Sequence, residues 1–210
     1  GTGYIGLSTM IYFAKKEVNC VGYDIDLEKI NQINNGKLPM PDLKNWYGFN
    51  LSEFTKKKFI SATNDHRKLL TDDFLAHFVA VPTEKNGKPY FKIFFEFLKK
   101  ISKIKKDHGA REKIKPLIII ESTLTPKFTE NKILPFFKKL DLKIGKDILY
   151  SVAPRRDWFV EGTKTLDVLD RVFGSSDKEP SIQTFNVLSI VCKKLHKATS
   201  HKEAEMEKSI

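Results

Sequence analysis

The sequence predicts an α/β fold, a doubly wound and mostly parallel sheet with helices on both faces, on three observations. Helix-like and strand-like segments alternate along the chain, and a glycine-rich loop opens directly onto a helix. The run Leu117, Ile118, Ile119, Ile120 is continuously apolar, as a parallel strand covered on both faces must be. With 210 residues, 40% of them hydrophobic, the chain can bury one sizeable core.

Each element follows from local pattern. A helix is expected from Ile5 to Lys16, a strand from Val18 to Asp24, and a helix from Leu27 to Asn34 that stops at Gly36. A polar stretch through Pro39, Pro41 and Trp46 leads to a short strand near Phe59 to Ala62, then to the apolar run Phe78 to Val81, closed by Pro82. Phe91, Phe94, Phe95, Leu98, Ile101 and Ile104 fall at helical spacing in a lysine-rich segment. After the strand at Leu117 to Ile120 come Glu121, Ser122 and Thr123, a helix from Phe128 to Leu140 and a strand from Ile148 to Val152. A loop with Pro154 and Trp158 leads to a strand around Arg171 to Phe173 and a last helix from Ile182 to Leu195. Nothing repeats and no low-complexity linker intervenes, so residues 1–198 read as one domain and 199–210 as the opening of a further helix. Because the sequence opens on Gly1, inside the glycine loop, a strand is expected upstream, and the final helix is expected to run on past Ile210.

Composition narrows the function. The formal charge of +11 raises nucleic acid as a partner, but the densest basic run, Lys99 to Lys115, lies on the helical segment and reads as its solvated face. No RNA-binding motif interleaved with aromatics and no helix-turn-helix pattern accompanies it, so nucleic acid is not expected. No stretch approaches the roughly 18 apolar residues of a membrane span and no signal pattern opens the chain, so a cytoplasmic protein is expected. Cys20, in the second strand, and Cys192, in the last helix, lack CxxC partners or histidines at ligand spacing. They read as small buried hydrophobes, without disulfide or metal.

The loop carries the chemistry. Gly1, Gly3 and Gly6 form GxGxxG: the first serves a tight turn, the second lets backbone approach a pyrophosphate, and the third permits close helix packing. With Tyr4 and Ile5 between them they open a helix whose amino terminus attracts phosphate. Asp24 ends the next strand about 20 residues on, where a carboxylate accepts ribose hydroxyls and repels a 2′-phosphate. The fold is therefore read as Rossmann-like, lacking its first strand, and the cofactor as NAD. Asp26, just before Leu27, reads as a helix cap.

Five passages then resemble the family of UDP-glucose, GDP-mannose and UDP-N-acetylhexosamine dehydrogenases: GTGYIGLST at the start, VGYDIDLEKINQINNGKLP, VPT at Val81 to Thr83, IIIESTLTP from Ile118 to Pro126, and EAEMEK from Glu203 to Lys208. The resemblance implies oxidation of a sugar C6 alcohol to a carboxylate on a nucleotide-sugar substrate, using two NAD molecules in turn and a cysteine-bound thioester. It implies that Gly1, Gly3, Tyr4, Ile5, Gly6 and Asp24 hold NAD and that Thr83 lies against it. Thr123 resembles the threonine that positions an active-site water, beside the cofactor, and Lys208 the lysine that stabilises an oxyanion. Taken without the resemblance, Thr123 reads as a helix-capping residue and Lys208 as a surface lysine. Homodimerisation through the helix that starts near Lys202 is also implied.

The sequence departs from that family where Ser-Pro-Glu is usual, reading Ala153, Pro154, Arg155, Arg156, Asp157. Arginine cannot act as a carboxylate base. Glu161, before Gly162, resembles the family's Glu-Gly displaced by two residues, and is assigned to water activation or thioester hydrolysis. Arg155 and Arg156 read either as ligands of a substrate phosphate or carboxylate or as a salt-bridging surface loop. Lys127 stands where the family often has glycine. These departures suggest a branch acting on an N-acetylated hexosamine. The family's nucleophile lies in a Gly-x-Cys segment that neither cysteine here matches, so the segment as given is expected to bind NAD weakly and not to catalyse. The competing readings are a hydroxyacid dehydrogenase of the 6-phosphogluconate type and a non-catalytic NAD- or nucleic-acid-binding module.

Overall fold

A computed structural model describes residues 1–44, 50–69, 74–107, 115–156 and 168–207. Glu161, Lys208, Trp46 and Trp158 lie outside them. Helix α1 (Tyr4–Ala14) leads into β1 (Cys20–Tyr23), α2 (Leu27–Asn34), α3 (Leu51–Lys56) and β2 (Ile60–Thr63). Next come β3 (His77–Val79), a hairpin of β4 (Glu84–Lys85) and β5 (Lys88–Pro89), α4 (Lys92–Asp107) and β6 (Leu117–Ile120). A π-helical turn (Thr129–Ile133) runs into α5 (Leu134–Lys139), followed by β7 (Leu149–Val152), β8 (Arg171–Phe173), α6 (Lys178–Leu188), β9 (Leu195–Lys197) and α7 (His201–Met206).

Apart from the hairpin, the strands pair in parallel: β1 with β2, β6 between β3 and β7, and β8 with β9. Reciprocal bonds between Val152 and Gly174 join the end of β7 to the end of β8. Strand β6 shows why the sheet is doubly wound. Its alternate residues Ile118 and Ile120 pack with Phe94, Leu98 and Ile101 of α4 and Phe137 of α5. Leu117 and Ile119 pack on the opposite face with Tyr12 and Phe13 of α1 and Val187 and Leu188 of α6. The period-2 alternation of a strand thus sends one apolar run into two cores. A third cluster seats Leu7 and Ile11 of α1 against Ile30 and Ile33 of α2 and Ile60 of β2.

The expected α/β architecture is present, with several differences in its elements, among them helix α3 (Leu51–Lys56), where only a polar stretch is expected. The helix expected from Ile182 to Leu195 instead runs from Lys178 to Leu188, and the chain then forms β9. Cys192 therefore lies beyond that helix, still buried. The helix expected from Phe128 to Leu140 begins as a π-turn, because Pro135 has no N–H to give the carbonyl one turn back. The hairpin was not anticipated; Asn86 and Gly87, at φ 54° and 71°, make its turn. Cys20 is half-buried, and desolvation pushes its thiol up to about 12.

Candidate dinucleotide site

The glycine loop lies between Asp24, just past β1, and Ala80, just past β3. The Thr2 amide and hydroxyl donate to Asp24 Oδ2, at 2.7 and 2.9 Å, and the Asp26 amide donates to Oδ1 at 3.1 Å. On the other side, a Cβ on Gly1 would stand 2.6 Å from the Ala80 carbonyl oxygen. A Cβ on Gly6 would lie 1.9 Å from the Gly1 carbonyl oxygen, so this helix can start so close to the loop only with glycine there. Gly3 differs from both: a Cβ would meet nothing within 4 Å. Its open face adjoins the amino end of α1, where no side chain caps the helix and no acidic residue stands in the first turn. A helix end of eleven residues that offers its dipole outward beside an uncluttered glycine fits a diphosphate.

Asp24 fits the ribose side of the same ligand. Burial alone would raise its pKa, but the hydrogen bonds from Thr2 and Asp26 outweigh it and hold the carboxyl below its ordinary value. The group is ionised at neutral pH, and Oδ1, with one donor among the described residues, keeps acceptor capacity for a hydroxyl. Asp26 does cap α2, accepting from the amides of Glu28 and Lys29.

The VPT and EST segments are brought together at the ends of β3 and β6. Thr83 Oγ1 donates to the Thr123 carbonyl at 2.7 Å, and Ser122 Oγ accepts from the Val81 amide at 2.9 Å. Thr123 is exposed and lies outside the helix that follows, with no capping bond among the described hydrogen bonds. Lys127, at φ 67°, makes the turn that glycine makes more readily. Glu161 and Lys208 fall outside the described residues, so their side chains add nothing to this geometry.

Several groups near the site have no role in the sequence reading. Glu121 is 1% exposed and accepts from Thr9 Oγ1 and from Arg171 Nη2, both at 2.7 Å. Its burial was inferable: it follows directly on a strand covered on both faces, and a carboxylate there needs a cationic partner. Glu205 is equally buried and accepts from the amides of Phe128 and Thr129 at 3.1 and 2.8 Å, and from the Thr129 hydroxyl. Desolvation pushes its carboxyl up against the lowering effect of those bonds. The two arginines part company. Arg156 pairs with Glu207 on the surface, as a salt-bridging loop would. Arg155 is 1% exposed and turned inward onto Ser8 and Thr9, so it is not placed to grip a substrate anion.

Parallel strands covered on both faces, with a glycine loop and a carboxylate at their ends, define a dinucleotide-binding domain of the dehydrogenase type. Residues 1–196 match the NAD-binding domain of the UDP-glucose/GDP-mannose dehydrogenase family. The chain belongs to that family, and its cofactor is NAD. It is 31% identical over 186 residues to the UDP-N-acetyl-D-mannosamine dehydrogenase of Methanococcus aeolicus and 30% identical over 186 residues to the UDP-glucose 6-dehydrogenase of Rickettsia bellii. Each alignment covers 85% of this chain and 38% of the relative. Among solved structures, the UDP-N-acetyl-mannosamine dehydrogenase Cap5O of Staphylococcus aureus superposes with a TM-score of 0.78 at 25% identity, over 99% of this chain and 48% of that one. The GDP-mannose dehydrogenase of Pseudomonas aeruginosa shares the fold, with a TM-score of 0.80 at 22% identity, covering 100% of this chain and 47% of its own. The chain thus spans less than half the length of these relatives. Among the described residues no helix is long and apolar enough to cross a membrane, and no group of three or more His, Cys, Asp or Glu is arranged to hold a metal ion.

Proposed function

We propose that the chain is the NAD-binding part of an enzyme that oxidises the C6 hydroxyl of a nucleotide-activated sugar, a UDP-sugar and specifically a UDP-N-acetylhexosamine, to the uronate. The observation that carries it is the joining of Thr83 to Thr123 beside the glycine loop, which sets the EST threonine at the strand ends where ligands of this fold bind. Gly1, Gly3, Tyr4, Ile5 and Gly6 would hold the diphosphate, Asp24 the adenosine ribose, and Thr83 would lie against the cofactor. When bound, NAD accepts hydride. Thr123 orients a water by its exposed hydroxyl, Lys208 steadies negative charge developing on the substrate oxygen, and Glu161 takes up a proton from the attacking water. The nucleophilic cysteine would come from chain that the relatives possess and this segment does not match. The relatives named for UDP-N-acetyl-D-mannosamine support an N-acetylated hexosamine, and those named for UDP-glucose, at 28–30% identity, support the wider class of UDP-sugars. Residues 1–198 are read as the cofactor domain and 199–210 as the start of a dimerisation helix in a cytoplasmic homodimer.

The test is an NAD-reduction assay on the longest natural form of the protein, with a panel of UDP- and GDP-sugars. Turnover of UDP-N-acetylhexosamines above UDP-glucose supports the reading; turnover of small hydroxyacids alone overturns it. On the chain itself, Asp24→Asn is expected to weaken NAD binding about tenfold, by loss of a charge-assisted acceptor, and to narrow the preference for NAD over NADP. Retained affinity and preference would remove Asp24 from the site.

A further inference from the structure

Arg155 occupies the position where the family usually carries a carboxylate, and its surroundings give it a different task. It follows β7, is 1% exposed, and sends its guanidinium across to α1. Nη2 donates to Ser8 Oγ at 3.1 Å, and Ser8 Oγ in turn donates to the Ile5 carbonyl at 2.9 Å, in the first turn of the helix. Nη1 donates to Thr9 Oγ1, which passes its own proton to Glu121 Oε2, and lies 3.8 Å from Glu121 Oε1. Glu121 is held from a third side by Arg171, whose Nη2 also donates to the Ala153 carbonyl at 2.6 Å. The ends of β6 and β7 and the start of β8 are thereby wired to α1 in one buried set of charge-assisted bonds.

We infer that Arg155 is a positioning residue for the dinucleotide site, fixing the first turns of α1 so that its amino end meets the diphosphate. The inference rests on the reading that this loop holds NAD. Two features make the role specific. Burial keeps Arg155 itself away from ligand, so its effect on binding passes through the groups it holds, Ser8 and Thr9 of α1 and Glu121 among them. The adenosine side of the site is held by other bonds, from Thr2 and Asp26 to Asp24, and among the described hydrogen bonds none joins it to this set. Loss of Arg155 shifts the helix end while leaving Asp24 in place. Glu121 keeps Arg171 and Thr9 as partners in such a variant, so its charge is not stranded.

The test titrates the chain and its Arg155→Met variant with NAD, ADP and adenosine, following chemical shifts, and records melting temperatures alongside. NAD and ADP are expected to bind about tenfold more weakly, since displacement of a preorganised group by about 1 Å costs up to about 10²-fold. Adenosine is expected to change by less than about twofold, a margin near the error of such energies. Arg155→Lys, which keeps the charge but places its donors on a single nitrogen, is expected to restore part of the loss. If Arg155→Met does not fold, Thr9→Val and Ser8→Ala remove the links from the other end and are expected to show the same ligand pattern. Equal losses for all three ligands, or none, overturn the positioning role. Failure of the unaltered chain to bind either NAD or adenosine overturns the cofactor assignment itself, and the inference with it.

Discussion

Gly3 and Gly6 belong to one loop, yet the space around them separates two roles. Gly6 is required by packing, since any Cβ would collide with backbone 1.9 Å away. Gly3 has room and an ordinary negative φ of −73°, so the fold does not require glycine there. Gly3→Ala is therefore expected to melt no lower than the parent, yet to bind NAD at least about tenfold more weakly, because the methyl occupies the diphosphate's approach. Gly6→Ala is expected to lose stability outright. Thermal melts with a binding titration check both, and a Gly3→Ala chain with full affinity would move the diphosphate elsewhere. At this scale the sequence was legible where a residue type admits few uses: the close approaches at Gly1 and Gly6 and the Asp26 cap. Adjacent Arg155 and Arg156 look alike in a sequence, and only the alternation of a chain leaving β7 turns one inward and the other to solvent. Glu121 and Glu205 were passed over because their partners are remote in sequence, Thr9 and Arg171 for one and Thr129 for the other.

Among elements, those with strong local signals came out at their expected limits: α2 between its Asp26 cap and Gly36, and β6 with four consecutive apolar residues. Strand β9 was hidden because its three residues are mostly exposed and continue the helical pattern before them, so tertiary pairing with β8 decides its state. The hairpin's Asn86-Gly87 turn did carry a signal, but its strands are two residues each, too short to show alternation. Between β6 and the π-turn, Lys127 holds a left-handed conformation that costs a side-chain-bearing residue about 1–2 kcal/mol. Lys127→Gly relieves that strain at a smaller cost in chain entropy, and a net gain of up to about 1 kcal/mol is expected. For a chain of this size that raises the melting temperature by about 2–4 °C. A lower melting temperature would mean that the lysine side chain contributes more than the turn costs.

For the molecule as a whole, two histidines contribute to the acid limb of stability. Desolvation drives the His77 imidazole, beside Phe74, down to about 4. The same cause lowers His201, against raising effects from the Tyr150 backbone, Asp177 and Glu130, and its Nε2 has no partner among the described residues. Both rings bind protons more readily in the unfolded chain, so their contribution to stability is complete above the ordinary value of 6.5 and is lost as pH falls toward about 4. Asp24, whose folded value is lowered, adds a further loss only below 3.8. Melting temperatures recorded across this range are expected to decline from about pH 6.5 downward; a flat profile until the carboxylates titrate would show that neither ring is desolvated. His201 opens α7, and that helix is joined to the sheet in another way. Gly174 lies so close to it that a Cβ would stand 2.3 Å from the Ser200 carbonyl oxygen, while Glu205 reaches inward to the amides of Phe128 and Thr129. Lifting α7 would leave those amides without their acceptor and open the close contact at Gly174, so the direction in which α7 points is dictated by the strand ends beneath it.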